Sequence, residues 1–425
     1  MTSAPPTSAP PTSARRRVVV TGGSGFIGRH LVDELTRDGS YEVVVLSRSP
    51  ERVTGLPVGA RAEGWNPAGP DGWSRWVDGA FGVVHLAGHN VFAGRWTDET
   101  KRRIRDSRVG SSRAVRAAIE SAEVKPQVLV QGSAVGFYGS VGDEILTEDH
   151  PPGNDFLANV CGEWEQASAG VEALGVRRPV VRTGVVLASD DGALPRMILP
   201  FKLGLGGPLG SGKQYVPWIH VSDEVRAIRF LMESPDATGA YNLTSPHPVR
   251  QRELARALGR VLHRPSLLPV PRVGLHLAVG EMAAVVLASQ RANPQRLREA
   301  GFEFRFPQLE PALEDLVPDP TQRIAGLRWF ATRFSTGEMG TEAPELEIVA
   351  SNPQEDVHRL LVERCGLVDR LYERLSDRDR EQVVELVPSH LERQVADEQF
   401  PSHGLAPQNP WCVFLVVRVR RRRRR

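Results

Sequence analysis

Short runs of aliphatic and β-branched residues alternate with helical patterns through the first half of the chain. Residues 18–20 predict a buried strand, and apolar residues follow it at helical spacing. Similar apolar runs at 41–46, 82–88 and 180–187, and another from residue 127, predict further strands. Strands that alternate with helices indicate an α/β fold with a doubly wound parallel sheet, the Rossmann architecture.

The rest of the pattern divides the chain into four parts. Residues 1–16 are rich in Thr, Ser, Ala and Pro and predict a disordered leader, because this composition cannot bury a core. Residues 17–243 are predicted to form the Rossmann domain. Residues 244–320 are predicted to form a smaller substrate lobe, to which residues 190–220 contribute. Residues 321–425 are an extension that we expect to be partly helical and to end in a disordered basic tail.

Composition excludes several classes of protein. Among 425 residues, 53 Lys and Arg face 51 Asp and Glu, and this balance gives no global reason for nucleic-acid binding. Three scattered cysteines are too few for a disulfide framework and do not have metal-ligand spacing. No apolar run reaches the roughly 18 residues that a membrane-spanning helix needs. We therefore expect a cytoplasmic protein with no metal and no membrane association.

Glycines follow the first predicted strand at positions 22, 23, 25 and 28. Gly22 permits a tight turn, Gly25 lets a pyrophosphate approach the backbone, and Gly28 lets the helix pack closely on the strand. The spacing differs by one residue from the G-x-G-x-x-G form, and an ordinary turn between a strand and a helix is the alternative. We expect a dinucleotide with its phosphates at the helix N-terminus.

The end of the second predicted strand bears on the choice of dinucleotide. NAD-specific sites place an Asp or Glu about 20 residues after the glycines, on the adenine ribose hydroxyls. No acid stands there in this chain, whereas Arg48, with Arg52 one helical turn further on, offers planar donors for a 2'-phosphate. The sequence therefore favours NADP over NAD, with a surface arginine as the alternative.

Two stretches resemble sites for other ligands. The helix predicted at 97–121 carries a basic cluster made of Lys101, Arg102, Arg103, Arg105 and Arg108. We interpret this cluster as a solvated helix face. Residues 207–213 match G-x-x-x-x-G-K, but Gln214 replaces the magnesium-binding Ser or Thr and a strand-like segment follows, so we predict an ordinary loop.

Taken in order, the motifs point to one family. They are Thr21-Gly-Gly-Ser-Gly-Phe-Ile-Gly28, His85-Leu-Ala-Gly88, Ser107-Arg-Val109, Gly132-Ser-Ala-Val-Gly-Phe-Tyr-Gly139, Trp164-Glu165, Arg182-Thr-Gly-Val-Val-Leu187, Trp218-Ile-His220 and Gln290-Arg291. Together they resemble the extended, atypical branch of the short-chain dehydrogenase/reductase superfamily. The resemblance is closest to its sugar-nucleotide-epimerase-like subfamily, which carries a short C-terminal domain of unassigned role.

The resemblance implies a set of cofactor-binding residues. In the glycine turn it implies that NADP is held by Gly22, Gly25, Phe26, Ile27 and Gly28. It places Arg48 at the 2'-phosphate, and Ala87 and Gly88 along the adenosine or the ribose nearer the nicotinamide. Ser133, at the carboxyl end of its strand, would face the nicotinamide.

The superfamily's usual catalytic pair, Tyr-x-x-x-Lys, is missing. The resemblance aligns Leu157 and Cys161 with its two positions, so the proton-transferring tyrosine and the lysine that lowers its pKa are both absent. Ser133 remains as a catalytic candidate, and Tyr138 is a candidate substitute for the missing tyrosine. For Cys161 we expect a buried small side chain rather than a nucleophile.

Four other polar residues have both a catalytic and a structural interpretation, and we expect the structural one in each case. His85 is predicted to be packed in the core, and Glu165 to be a carboxylate on a helix surface rather than an acid/base group. His220 and Asp223 open a helix, with Asp223 predicted as its N-cap.

These observations support two functions. The first is an NADP-dependent oxidoreductase or epimerase-like enzyme that acts on a small molecule, sugar-linked if the resemblance extends that far. The second is a non-catalytic NADP-binding or redox-sensing protein that has lost the proton-transfer pair. A third interpretation, which the balanced net charge does not favour, is nucleic-acid binding through the terminal arginines. The sequence is compatible with a homo-oligomer.

Overall fold

The computed structural model describes residues 15–69 and 72–317, so the predicted extension at 321–425 and most of the predicted leader lie outside it. The strands are β1 (Arg16–Thr21), β2 (Tyr41–Ser47), β3 (Ala60–Gly64), β4 (Gly82–His85), β5 (Val128–Ala134), β6 (Ile145–Leu146), β7 (Pro179–Thr183), β8 (Val185–Leu187), β9 (Tyr215–Val216), β10 (Trp218–His220), β11 (Gly239–Leu243), β12 (Val249–Arg250) and β13 (Arg291–Ala292). The α-helices are α1 (Phe26–Thr36), α2 (Asp98–Ser121), α3 (Phe156–Ser168), α4 (Leu194–Lys202), α5 (Val221–Glu233), α6 (Gln251–Val261), α7 (Arg272–Val279), α8 (Ala283–Leu287), α9 (Gln295–Glu299) and α10 (Leu309–Leu316).

Seven strands form one parallel sheet in the order β11-β7-β5-β4-β1-β2-β3. The chain runs outward from β1 through β2 to β3, and then returns to the other side of β1 with β4. The strand order therefore reverses between β1 and β4. In such sheets a crevice opens at this point, outside the carboxyl ends of the strands, and ligands bind there. The predicted doubly wound sheet is confirmed.

Alternate residues of the strands face two helical layers. In β1, Val18 and Val20 pack in a core that includes Leu31 of α1 and Ile228 of α5. Val19 between them points to the opposite face, in a second core with residues of α2. Helices cover both faces of the sheet, so valines on either face of the central strands, such as Val18 and Val19, are fully buried.

The segments outside the large sheet form three two-stranded pairings: β8 with β10, β9 with β12, and β6 with β13. The antiparallel pair of β9 and β12 joins Val216 to Val249, so it links the two stretches predicted to share the substrate lobe. The division of the chain into a Rossmann domain and a substrate lobe at residues 243 and 244 stays a prediction. Within the described residues, no helix is both long enough and apolar enough to cross a membrane.

Candidate functional site

The glycine turn joins β1 to α1 with very little space between backbone segments. Gly22 has φ +72°, and a Cβ placed on it would lie 2.9 Å from the amide nitrogen of Ala87. A Cβ on Gly28 would lie 2.1 Å from the carbonyl oxygen of Gly22, so only glycine lets the helix begin this close to the strand. A Cβ on Gly25, in contrast, would meet nothing nearer than 3.1 Å.

Helix α1 begins without an acidic or side-chain cap. Gly25 is its N-cap residue, no side chain accepts a hydrogen bond there, and its first turn holds no Asp or Glu. Phe26 and Ile27 form that first turn and are only partly buried, and Gly192 lies against the Phe26 ring. The first amide groups and the positive end of the helix dipole are therefore available to an anion at the crevice between β1 and β4.

The end of β4 completes the floor of this crevice. His85 is fully buried, and its two ring nitrogens lie 2.6 Å from the Thr21 hydroxyl and 3.2 Å from the Ser111 hydroxyl. Burial lowers the pKa of His85 to about 3, so the ring is neutral and structural. Ala87 lies against the glycine turn, where its amide nitrogen is 3.4 Å from the Thr21 hydroxyl. The core position predicted for His85 is what the structure has.

Arg48 directly follows the carboxyl end of β2 and is exposed. Among the described residues, no carboxylate pairs with it. Arg52 is also exposed and lies 3.8 Å from the adjacent Glu51. Arg48 thus presents its guanidinium to solvent at the carboxyl edge of the sheet, two strands from β4.

Ser133 belongs to a network of buried polar side chains at the end of β5. Its hydroxyl donates a hydrogen bond of 2.6 Å to Glu165 on α3. Arg182 lies beside Ser133 on the adjacent strand β7 and donates to both oxygens of the same carboxylate, at 2.9 and 3.0 Å. The prediction that Glu165 is a surface carboxylate is therefore wrong: its side chain is 14% exposed and turns inward because Arg182 supplies a counter-charge.

Tyr138 lies deeper in the same network. Its hydroxyl donates to Asn242 Oδ1 at 2.7 Å and accepts from Arg182 at 3.0 Å, and the residue is 2% exposed. Burial is the main reason that its pKa is raised, although Arg182 and Asn242 act in the opposite direction. The hydroxyl proton is thus engaged within the protein.

The two positions that would hold the missing catalytic pair face the turn after β5. A Cβ on Gly136 would lie 3.5 Å from the Leu157 side chain and 3.8 Å from the Cys161 sulfur. Burial raises the pKa of the Cys161 thiol to about 12, so it is protonated at neutral pH. Neither residue can transfer a proton there, and the buried position predicted for Cys161 agrees with the structure.

Two further predictions are corrected by the structure. Arg102, Arg103 and Arg105 are exposed as predicted for the basic helix face, but Arg108 turns inward and donates to the carbonyl oxygens of His89 and Ile104, both at 3.0 Å. The arginine stem follows the helix towards its N-terminus, and this direction takes Arg108 into the gap beside Gly88.

The N-cap of α5 is also different from the prediction. His220 Nδ1 accepts from the Ser222 amide at 3.0 Å, so His220 is the cap. Asp223 is fully buried and accepts from the amides of Arg305 and Phe306, both at 2.8 Å. The local sequence cannot show whether an aspartate at the start of a helix caps that helix or, as Asp223 does, binds the backbone of a segment distant in sequence. Both residues are structural, as predicted.

One buried acid lies near the network without joining it. Glu224 on α5 accepts a hydrogen bond of 2.7 Å from Thr183 at the end of β7, and its second oxygen has no hydrogen-bond partner. Burial raises the pKa of Glu224 to about 8, so the carboxyl is largely neutral at pH 7. The described residues contain no cluster of three or more His, Cys, Asp or Glu side chains that could hold a metal ion.

Comparison with protein families decides the identity of the fold. The family model described as "NAD dependent epimerase/dehydratase family" matches residues 18–244, and a domain of unknown function, DUF1731, matches residues 270–316. The chain belongs to the NAD-dependent epimerase/dehydratase family. This agrees with the predicted resemblance, both in its extended short-chain-dehydrogenase-like part and in its short C-terminal domain.

Individual relatives support the same assignment. The epimerase family protein YfhF of Bacillus subtilis is 39% identical over 311 residues, which cover 71% of this chain and 98% of YfhF. The crystal structure of human epimerase family protein SDR39U1 with NADPH is similar with a TM-score of 0.63 and 30% identity, over 71% of this chain and 99% of that chain. The crystal structure of the nucleoside-diphosphate sugar epimerase from Corynebacterium glutamicum is similar with a TM-score of 0.56 and 28% identity, over 85% of this chain and 67% of that chain.

Proposed function

We propose that this member of the NAD-dependent epimerase/dehydratase family binds NADP and uses it for hydride transfer on a small, sugar-linked substrate. The observation that carries the proposal is the Ser133–Glu165 hydrogen bond of 2.6 Å at the carboxyl end of β5. It supplies a proton acceptor beside the crevice, although the usual Tyr-x-x-x-Lys pair is absent.

The residues of the crevice fit a dinucleotide. The backbone leaves no room for a side chain at Gly22 or Gly28, and the uncapped N-terminus of α1 is suited to the pyrophosphate. Exposed Arg48 is suited to the 2'-phosphate that distinguishes NADP from NAD, which favours NADP. The human relative described above was crystallised with NADPH. Ala87 and Gly88 would border the adenosine or the ribose nearer the nicotinamide, and Ser133 would face the nicotinamide.

Bound NADP would supply a carbon that accepts or donates a hydride. The protein's part is to hold and move the proton of the substrate hydroxyl. Ser133 donates its own hydrogen to Glu165, so its oxygen is free to accept the hydrogen of a substrate hydroxyl. As the C–H bond gives up its hydride, the O–H proton would pass to Ser133 Oγ while the serine proton passes to Glu165. A carbonyl and a neutral carboxyl result.

Arg182 and Tyr138 position this proton acceptor. The guanidinium holds both oxygens of Glu165, and its Nη1 also donates to the Tyr138 hydroxyl and to the Glu148 carbonyl oxygen. These bonds fix the carboxylate on the Ser133 side of α3. We infer a positioning role for Tyr138 and a catalytic role for Ser133 and Glu165.

A sugar-linked substrate is proposed from the family. The Corynebacterium glutamicum relative is described as a nucleoside-diphosphate sugar epimerase. Both an oxidoreductase and an epimerase begin with the same hydride and proton transfer, so the Ser133–Glu165 pair would serve either reaction.

The competing function is NADP binding without turnover. It is favoured by Leu157 and Cys161, which provide no acid or base at the positions of the usual pair. Both functions include NADP binding, and only the first includes turnover of a substrate.

The test is a panel of nucleotide sugars and small carbonyl compounds given to the full chain with NADP or NADPH. Cofactor absorbance reports net redox, and chromatography of the sugar reports epimerisation. Turnover that is lost in Ser133→Ala and kept in Ser121→Ala, a control at the end of α2, supports the proposal. Saturable NADPH binding without any product, in either assay, favours the non-catalytic protein.

A further inference from the structure

Arg108 is a cationic residue of α2 whose side chain points into the protein. Its Nη1 donates to the carbonyl oxygens of His89 and Ile104, both at 3.0 Å, and its Cζ lies 5.1 Å from the centre of the Trp164 ring. Its Nε and Nη2 have no hydrogen-bond acceptor in the described part of the chain. The planar edge formed by these two nitrogens is therefore left for a ligand.

In the part of the chain that the structure describes, no negative charge balances this guanidinium. Among residues 15–69 and 72–317, no carboxylate lies within ion-pair distance of Arg108, whereas Arg105 on the same helix contacts both Glu163 and Asp106. The ionisable side chain that acts on Arg108 is Cys161, and burial raises the pKa of that thiol to about 12. A neutral thiol cannot compensate a charge. An uncompensated cation in a poorly solvated place is costly and marks a functional site.

The position of Arg108 relates it to the reacting end of the crevice. A Cβ on Gly88 would lie 3.0 Å from Arg108 Cζ, so the guanidinium rests against the backbone that follows β4. Trp164 touches both Arg108 and Gly132, the residue before Ser133. The cation thus lies near the carboxyl ends of β4 and β5, beside Gly88 and one Trp164 ring away from the strand that carries Ser133.

We propose that Arg108 is the anion-binding residue of the substrate site and that the substrate carries a carboxylate near the carbon that exchanges hydride. The inference rests on the proposed function for the location of the reaction. A carboxylate matches the Nε–Nη2 edge of a guanidinium with two parallel hydrogen bonds, which a neutral group cannot replace. The site then selects acidic substrates over neutral ones.

Malonate and its neutral diamide, malonamide, are the probes that test this. Each is titrated calorimetrically into the full chain, both free and saturated with NADPH. We expect saturable malonate binding, no malonamide binding, and malonate affinity at least about 10-fold weaker in Arg108→Met. Arg105→Met is the matched control, since it removes an exposed arginine from the same helix, and it should bind malonate as the native protein does.

A second variant keeps the test valid if Arg108→Met does not fold. Arg108→Lys retains the charge and loses the planar edge, so its malonate affinity should fall between those of the native protein and a neutral variant. The proposal is overturned if malonate does not bind the native protein, if malonamide binds equally well, or if both Arg108 variants keep native affinity. It is also overturned if Arg108→Met weakens NADPH and leaves malonate unchanged. A native protein that binds malonate and not NADPH would contradict the proposed function alone.

Discussion

Ser133 and Arg182 stand opposite each other in the register of β5 and β7, and both hold the same carboxylate, that of Glu165. Adjacent parallel strands place these two side chains on one edge of the sheet, and α3 brings Glu165 over them. The carboxylate is therefore fixed by a charge on one side and by a hydroxyl on the other. This relationship makes Glu165 the proposed proton acceptor.

Glu165→Gln should lower turnover by roughly 100- to 10,000-fold, the range that general base catalysis contributes. Glutamine keeps an oxygen that can accept from Ser133 but cannot take up a proton at neutral pH. The NADPH dissociation constant should stay unchanged, since the glycine turn is untouched. Steady-state kinetics and a fluorescence titration of NADPH measure the two quantities.

Glu163→Gln is the control for this substitution. Glu163 lies two residues earlier on α3, is exposed and pairs with Arg105. It should leave turnover within about twofold of the native value. A Glu165→Gln protein that remains folded and retains more than about a tenth of native turnover would show that another group accepts the proton.

Tyr138→Phe separates positioning from direct proton transfer. The substitution keeps the ring and removes the hydroxyl that donates to Asn242 and accepts from Arg182. We expect a loss of about 1–2 kcal/mol in the free energy of unfolding and a decrease in turnover below about 10-fold. Urea unfolding measures the free energy of unfolding, and steady-state kinetics on the same protein measure turnover. We expect the pH profile of turnover to stay unchanged. A decrease of about 1,000-fold in a stable protein would identify Tyr138 as the proton donor instead.

The sheet could be predicted from the sequence because its signals are local. Three β-branched residues before Gly22, and apolar runs at each later strand, report burial directly through composition. The glycine turn could be predicted for the same reason, since a positive φ at position 22 and the lack of space at position 28 each require glycine.

The positions of the buried charged side chains in the candidate site could not be predicted from the sequence in this way. Arg108 shares its helix with exposed Arg102, Arg103 and Arg105, and Glu165 lies two residues from exposed Glu163. Charge alone therefore predicted a solvent-facing position for both Arg108 and Glu165. The surroundings of both side chains depend on residues distant in sequence. Glu165 pairs with Arg182, and Arg108 lies against Gly88 and Trp164. The motif Trp164-Glu165 and the motif Arg182-Thr-Gly184 were both recognised, yet nothing in either spacing indicates that Glu165 and Arg182 form an ion pair.

Arg48→Ala should distinguish the two dinucleotides. If Arg48 contacts the 2'-phosphate, its removal should raise the NADP dissociation constant by roughly 10- to 100-fold, the effect of one charge-assisted contact, and change that of NAD by less than about threefold. Binding of each cofactor is followed by calorimetry. Arg37→Ala is the control, because Arg37 follows the last turn of α1 and pairs with Glu34. Equal losses for NADP and NAD would show that Arg48 does not recognise the phosphate.

Glu224 should make the folded protein less stable as the pH rises. Burial raises its pKa from 4.5 to about 8 in the folded state, so the folded protein keeps this proton over a range in which the unfolded chain has released it. The stabilising effect of the neutral carboxyl is complete below about pH 4.5 and is lost between pH 4.5 and 8, by roughly 3 kcal/mol at pH 7.

Glu224→Gln removes this dependence, because an amide keeps an acceptor for Thr183 and never ionises. The variant should match the native free energy of unfolding at pH 5 to within about 1 kcal/mol and exceed it at pH 8 by a few kcal/mol. Urea unfolding at both pH values gives the comparison, and Glu303→Gln, at an exposed position, should follow the native curve. The sign is decisive: a Glu224→Gln protein that gains no stability over the native chain between pH 5 and 8 would mean that Glu224 is ionised in the fold and that its unpartnered oxygen is solvated.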